Sequence, residues 1–429
     1  MKKTGFLIAL ILLFPGSSHA TEVELQISKQ AGKKMDVALA PPQNTLRNQT
    51  ALPNSFQETL SFDLDQSGYF DLVKAPSEVQ AISKSEALDS ISETARWRSL
   101  GAEIVVKTAY VVNGPTGTMD LYAFEVQDQK RIFGKRYKFN SSTLNLLAHT
   151  CANDLIYHLT GEQGIAGTEI AFVAGNLKSK EVFICDTDGK NVRQLTQDHH
   201  IVLGVSWHPQ KRKLIYTSFK DGQPHIYLHD LDRGTRENIS HYPGLNAAAK
   251  FSPDGQHIAM VLSKDGNPEI YLTDLHGENL KRLTNHPSVD ASPCWSPDGR
   301  KIAFMSDRSG HPHLYLLDLR GEILKRLTHQ GTYNASPSWS PKGDKIAFSS
   351  DMAGGFKICV LDLKDETITI VSQEGGEAEE PDWAPDGEHI VYSSRVGEIY
   401  QIFIVNILDG KTTRLSSGQM SCLTPTWSY

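Results

Sequence analysis

The chain has 429 residues, a formal charge of −7 and 39% hydrophobic residues. That length is too great for one small core, so two or more domains are expected. The acidic balance is mild and spread along the chain, and no stripe of Lys and Arg with interleaved aromatics offers itself to nucleic acid.

Lys2 and Lys3, the apolar run 6–14, the break at Pro15-Gly16 and the small-residue site Ser18-His19-Ala20 read together as an export signal cleaved after Ala20. The run is too short to cross a bilayer, and no later one approaches the roughly 18 residues a membrane helix needs. A monomer with no direct membrane insertion is expected, and residues 1–20 are set aside as the signal peptide. Residues 21–42 read as a flexible N-terminal arm. Its weak strand pattern at Val23, Leu25 and Ile27 is followed by Lys29, Lys33 and Lys34 and by Pro41-Pro42.

Residues 43–162 read as a small α/β domain. Phe56, Leu60 and Leu64 recur every four residues, which predicts a helix over 54–64. A second helix is expected over 92–100, with Gly101 as its C-cap. Residues 103–112, 118–126 and 131–140 alternate as the strands of a meander, turned at Asn113-Gly114. Residues 142–159 predict a third helix, and 161–167 a hinge.

Beyond the hinge the chain repeats itself. Trp207, Phe251, Trp295, Trp339, Trp383 and Trp427 stand 44 residues apart, and Pro209, Pro253, Pro297, Pro341 and Pro385 follow the first five at two places. In Ser296-Pro297-Asp298-Gly299 the proline pre-sets φ for a β-turn, and Asp and Gly suit the positions after it. The apolar triplets that follow, a Gly-bearing loop, a strand closing on Asp230, Asp274, Asp318 or Asp362, and a last strand ending near Leu-Thr make four strands per period. That is the signature of a propeller blade. An earlier copy begins at Ile170, but its aromatic place at 163 holds Gln163; six periods on, at 163 + 264, stands Trp427. The C-terminal strand is therefore expected to complete the first blade and remove the open edges of the ring. A linear solenoid would want capping repeats instead. The fold class expected is an α+β N-terminal domain followed by an all-β six-bladed β-propeller over 166–429, closed by the C-terminal strand.

No Gly-x-Ser-x-Gly elbow is present, and no hydrolase domain is expected after the propeller. His199-His200 and His311-x-His313 are the candidates for a metal-dependent polysaccharide lyase, and surface loops are the plainer reading of both. A peptidase-associated propeller is the other alternative. Five widely spaced cysteines give neither a disulfide framework nor a metal knuckle. No enzyme activity, cofactor or metal is expected. Binding remains, and the loops that lead into the inner strands should cluster on one face with the loops joining strands two and three. That face offers Asn246, Ala248, Asp290, Ala291, Ser292, Pro293, Asp307, Arg308, Tyr333, Asn334, Ser336, Asp351 and Glu380. Asp307 and Asp351 share one turn column, where side-chain bonds to the turn backbone are expected.

The signal, the mature start Glu22-Val23, the short α/β domain, the Trp-Ser-Pro-Asp-Gly repeats, Ser306-Asp307-Arg308-Ser309-Gly310 and the ending Pro425-Thr426-Trp427-Ser428 together resemble the TolB family of the Gram-negative Tol-Pal system. The resemblance covers the whole mature chain. It implies a periplasmic protein that binds the peptidoglycan-associated lipoprotein Pal on one propeller face. It also implies that the inner-membrane-anchored TolA is bound through the arm, by Thr21, Glu22, Val23, Leu25 and Ile27, in support of outer-membrane invagination at division. The family pattern His-Asn-Gly-Ala is here Leu245-Asn246-Ala247-Ala248, so Asn246 and Ala248 carry over and the His does not. Of Asn-Thr-Glu-Pro only Pro293 matches.

Overall fold

The computed structural model describes residues 34–46, 52–352, 354–372 and 376–429. The expected signal peptide and the arm residues Thr21, Glu22, Val23, Leu25 and Ile27 lie outside them.

The N-terminal domain is a mixed sheet in the order β3-β1-β4-β5-β6, with the short β2 beside β4. Its strands are β1 (Met35–Leu39), β2 (Gln43–Asn44), β3 (Phe70–Leu72), β4 (Ile104–Asn113), β5 (Thr116–Glu125) and β6 (Lys130–Asn140). The meander of β4, β5 and β6 follows the sequence expectation. Met35–Leu39, read as part of the arm, is instead a strand paired parallel to both β3 and β4. Val37 and Ala38 are buried, and that burial fixes the strand in place. Helices α1 (Asn54–Gln66) and α4 (Leu144–Thr160) cover one face, where Phe56, Leu60 and Leu64 meet Leu121, Cys151 and Leu155. Helices α2 (Pro76–Ser85) and α3 (Thr94–Ser99) cover the other. The expected helix over 92–100 is this shorter α3. Ser92 and Glu93 precede it because their backbone N–H groups donate to the Glu86 carboxylate at 2.7 and 2.5 Å. Glu86 also pairs with the buried Lys107 Nζ at 2.7 Å and accepts from Trp97 Nε1 at 3.1 Å.

Six four-stranded antiparallel sheets follow, and their inner strands touch one another in a closed circle. Those inner strands are Val202–Trp207, Asn246–Phe251, Asp290–Trp295, Asn334–Trp339, Ala378–Trp383 and Ser421–Trp427, of blades 2, 3, 4, 5, 6 and 1. Ser421–Trp427 pairs with Glu169–Gly175, placing Trp427 opposite Ile170 and closing the ring. The apolar faces pack between blades, as where Ile215, Ile226 and Leu228 of blade 2 meet Phe251, Ile258 and Met260 of blade 3. The aromatic column also bonds between blades: Trp295 Nε1–H of blade 4 donates to the Lys250 carbonyl of blade 3 at 3.2 Å, and Trp383 Nε1–H of blade 6 to that of Ser338 of blade 5 at 3.0 Å. The Leu-Thr column has a role of its own, because in five of the six blades its hydroxyl accepts the N–H of a third-strand residue. Thr196, Thr284, Thr328, Ser372 and Ser416 take those of Val182, Ile270, Leu314, Ile358 and Ile402 at 2.8–2.9 Å.

The N-terminal domain docks on the face that carries the Pro-Asp-Gly turns. His389 of blade 6 reaches the carbonyl of Gln66, the last residue of α1, at 2.8 Å. Lys411 pairs with Asp65 at 2.6 Å, Lys34 with Asp409 at 2.7 Å, and Thr413 Oγ1 donates to Gln66 Oε1 at 3.1 Å. Gly68 (φ 78°) passes so close to Asn406 that a side chain there would collide with its amide.

Candidate binding face of the propeller

Each inner strand breaks register after its third residue or earlier. In blade 4 the pairing jumps from Ala291↔Met305 to Cys294↔Ala303, and the other five blades show the same slip. One residue at each slip takes a left-handed backbone: Gly204 (φ 58°), Ala248 (49°), Ser292 (51°), Ser336 (51°), Glu380 (57°) and Thr424 (46°). Five of these six are not glycine, and such backbones are held only where surrounding structure over-determines them. A bulge bends its strand and re-aims its side chains. The six bulges form one ring around the channel at the end opposite the docked N-terminal domain. The lead-in loops expected at residues 246–249, 290–293, 333–337, 378–381 and 422–425 belong instead to the bulged starts of the inner strands, except for Tyr333, which precedes its strand.

The candidate residues divide by burial. Asn246, Asp290 and Asn334 share one column and are fully buried. Asn246 Oδ1 accepts from Ser240 Oγ at 2.6 Å and from the Tyr242 N–H at 3.0 Å. Asn334 accepts from Ser350 Oγ at 2.9 Å and donates to the Gln330 carbonyl at 2.9 Å. Asp290 is clamped by both its oxygens to Arg308 Nη2, at 2.7 and 2.9 Å. Burial raises the Asp290 pKa, against the lowering effect of Ser306 and Arg308. These three side chains hold the loops and, with the buried Pro293, present nothing to a partner. Ala248, Ala291, Ser292, Ser336, Glu380, Asp307, Arg308 and Asp351 are partly open, and Tyr333 is 40% exposed. Asp307 accepts from the Val289 N–H at 2.9 Å; Asp351 accepts from the N–H groups of Thr332 and Tyr333 at 2.9 and 3.0 Å. Both acids thus fasten the lead-in loop of their own blade, where bonds to their own turn had been expected.

Two sets of residues here escaped the sequence reading. Two places beyond each bulge stand Ser206, Lys250, Cys294, Ser338, Asp382 and Thr426. Asp382 ties the ring's last joint, accepting from Ser338 Oγ at 3.0 Å, Thr426 Oγ1 at 2.7 Å and the Trp427 N–H at 2.9 Å. Beside it, burial and then the neighbouring Glu379 charge push the Glu380 pKa up to about 7, opposed by a bond from the Thr424 N–H at 2.8 Å. The period of 44 locates both columns, but nothing in residue type says which places face the channel. The second set is apolar: Leu177 in the loop between strands two and three of blade 1 is 92% exposed, with Leu203 and Met420 exposed at the starts of neighbouring inner strands. An apolar residue at the tip of the polar turn Asn176-Leu177-Lys178 was the available signal.

Of the histidines weighed for metal chemistry, His199 and His200 lie in the lead-in to Val202–Trp207, His311 in the loop before His313–Asp318, and His313 at the start of that strand. His199, His200 and His311 are exposed. His313 is buried against Thr328 and Asn334, and burial lowers its pKa. Among the described residues no group of three or more His, Cys, Asp or Glu side chains is placed to hold a metal ion.

A closed six-bladed propeller of Trp-Ser-Pro-Asp-Gly blades, joined to an α+β domain on one face and offering a bulged polar ring on the other, defines a two-domain propeller protein. The TolB beta propeller domain matches residues 156–429 and the TolB amino-terminal domain matches residues 23–132. The chain belongs to the TolB family. Its structure is similar to that of TolB from Acinetobacter baumannii, with a TM-score of 0.80 at 28% identity over 92% of this chain and 97% of that one. The Tol-Pal system protein TolB of Alkalilimnicola ehrlichii is 33% identical over 246 residues, 56% of each chain. That of Alcanivorax borkumensis is 35% identical over 170 residues, 37% of this chain and 39% of that one. The chain thus spans about half the length of these curated relatives, 56% and 39%.

Proposed function

We propose that this chain is a non-catalytic component of the Tol-Pal system, exported to the periplasm with its signal cleaved after Ala20. On this reading it is a monomeric scaffold that ties a TolA-like inner-membrane protein to a Pal-like outer-membrane lipoprotein. It thereby supports envelope integrity and invagination of the outer membrane at cell division. The lipoprotein docks on the bulged channel mouth through Ser292, Ser336, Tyr333, Arg308 and Glu380, and the TolA-like protein takes the arm as an added strand through Val23, Leu25 and Ile27.

One observation carries this reading: the six-membered ring of backbone-fixed, mostly small side chains at the mouth. A preformed rigid surface binds at low ordering cost. The names borne by the relatives support the assignment to the system. A pull-down from envelope extract with the mature chain tests it. Recovery of a Pal-like lipoprotein is expected; recovery of glycan fragments, or one tightly bound transition metal per chain, would revive the lyase.

A further inference from the structure

The Asp-x-x-His part of the grip that holds the N-terminal domain recurs in a second blade of the propeller. In blade 6, Asp386, His389, Asn406 and Thr413 surround the C-terminal end of α1, where the His389 Nε2–H takes the Gln66 carbonyl at 2.8 Å. Three blades on around the ring, 132 residues earlier, the same places hold Asp254, His257, Asp274 and Lys281. The strand registers agree: His257 pairs with Asp274 as His389 does with Asn406, and Leu272 with Lys281 as Ile404 does with Thr413. Blades 2, 4 and 5 put Gln210 and Lys213, Asp298 and Lys301, and Lys342 and Lys345 at the Asp-x-x-His positions.

Among the described residues no side chain from another part of the chain is seated in this second place. Asp254, His257, Asp274 and Lys281 line an open groove of about 820 Å³ between blades 3 and 4, floored by Leu272, Trp295 and Leu319. His257 is exposed. The far wall is fixed by Lys281 Nζ, which donates to the Leu319 carbonyl at 2.7 Å. Terminal helix carbonyls have no partner within their own helix, and an imidazole N–H with an apolar floor suits them, as blade 6 demonstrates with α1. The charges differ between the two grips. Where Lys411 receives the acidic Asp65 of α1, the repeat places Asn279, and where blade 6 has Asn406, blade 3 has Asp274. With Asp254 and Asp298 on the rim, the groove favours a cation, and cations are the charges helix C-termini themselves favour.

We propose that the groove between blades 3 and 4 docks the C-terminal end of an α-helix of a partner protein, one with a lysine or arginine in its last turn. The probe is a fluorescent, side-chain-stapled peptide of residues 54–68 carrying Asp65→Lys, titrated by anisotropy into the full chain. Saturable binding is expected, weakened roughly tenfold by His257→Ala, the loss of one hydrogen bond and its geometry. The peptide with Asp65 retained should also bind roughly tenfold more weakly, as a charge placed against carboxylates. Lys178→Glu, in the exposed loop between strands two and three of blade 1 on the opposite face, should leave the affinity unchanged. An affinity equal in His257→Ala and the native chain, with both folded by thermal melting, would overturn the proposal. So would the absence of saturable binding by the lysine peptide.

Discussion

His389 joins the two domains through one imidazole: Nε2 faces the Gln66 carbonyl at 2.8 Å and Nδ1 faces the Asp386 carboxylate at 2.6 Å. With both nitrogens protonated, both contacts are hydrogen bonds and the cation lies at the C-terminal end of α1, where the helix dipole favours it.

That arrangement sets a pH window. Burial alone would lower the His389 pKa, but Asp386 outweighs it and holds the value above the ordinary 6.5. Burial alone would raise Asp386, but His389 holds it below 3.8. The His389 contribution is full below 6.5 and is lost as pH rises through its raised value. The Asp386 contribution is full above 3.8 and is lost as pH falls through its lowered value. His389→Ala leaves a buried carboxylate unpaired and should cost about 3–5 kcal/mol within that window. Thermal melts from about pH 4 to 9 should show the gap between native and variant narrowing on the alkaline side; parallel curves would refute the link.

Closure by the C-terminal strand makes Trp427 a keystone, with its Nε1–H on Thr168 Oγ1 at 2.7 Å and its ring in the core of blades 1 and 6. Trp427→Ala should cost about 3–5 kcal/mol, lowering the melting temperature by roughly 6 to 20 °C. Deleting residues 424–429 should expose a strand edge and cause aggregation. A truncated chain that melts within a few degrees of the full one would refute closure.

The blades were legible because one period of 44 carries the turn prolines, the glycines and the aromatic column together. The bulge ring was not, because left-handed backbones at Ala248, Ser292, Ser336, Glu380 and Thr424 are imposed by strand pairing and leave no mark on residue type. In the N-terminal domain β1 escaped notice because a short strand paired parallel on both sides has no hairpin to announce it. Helix α2 did carry a signal, with Pro76 in its first turn and Glu78 beside it, and was passed over. Exposed and buried polar residues at the channel mouth look alike in sequence, so Asn246, Asp290 and Asn334 were grouped with true surface positions.

Glu380 should make binding at the mouth sensitive to pH. Its carboxyl, pushed up to about 7, changes from neutral to charged across neutrality. A folded-state pKa raised above 4.5 means that the chain loses stability as pH rises from there toward 7. Glu380→Gln should melt higher than the native chain above neutrality and bind its partner with less variation between about pH 6 and 8. A native chain whose affinity and melting point are flat over that range would exclude this role.

The arm makes a separate prediction. Residues 21–27 contain three apolar side chains and can bury little surface against the body. Their deletion should abolish binding of a TolA-like domain while leaving the melting temperature and lipoprotein affinity intact. Undiminished binding by the deleted chain would make the arm a bystander.

The central claim is that the bulged channel mouth is the lipoprotein-binding face, and titration calorimetry with the soluble domain of a Pal-like lipoprotein tests it most directly. Ser292→Lys and Ser336→Lys, at partly open ring positions, should weaken binding without lowering the melting temperature. Asn334→Asp should instead destabilise the fold, because that amide is buried and fully engaged. Asp298→Lys, in a Pro-Asp-Gly turn of the opposite face, should leave affinity unchanged. Native affinity in both serine variants, with loss of binding in Asp298→Lys, would contradict the account.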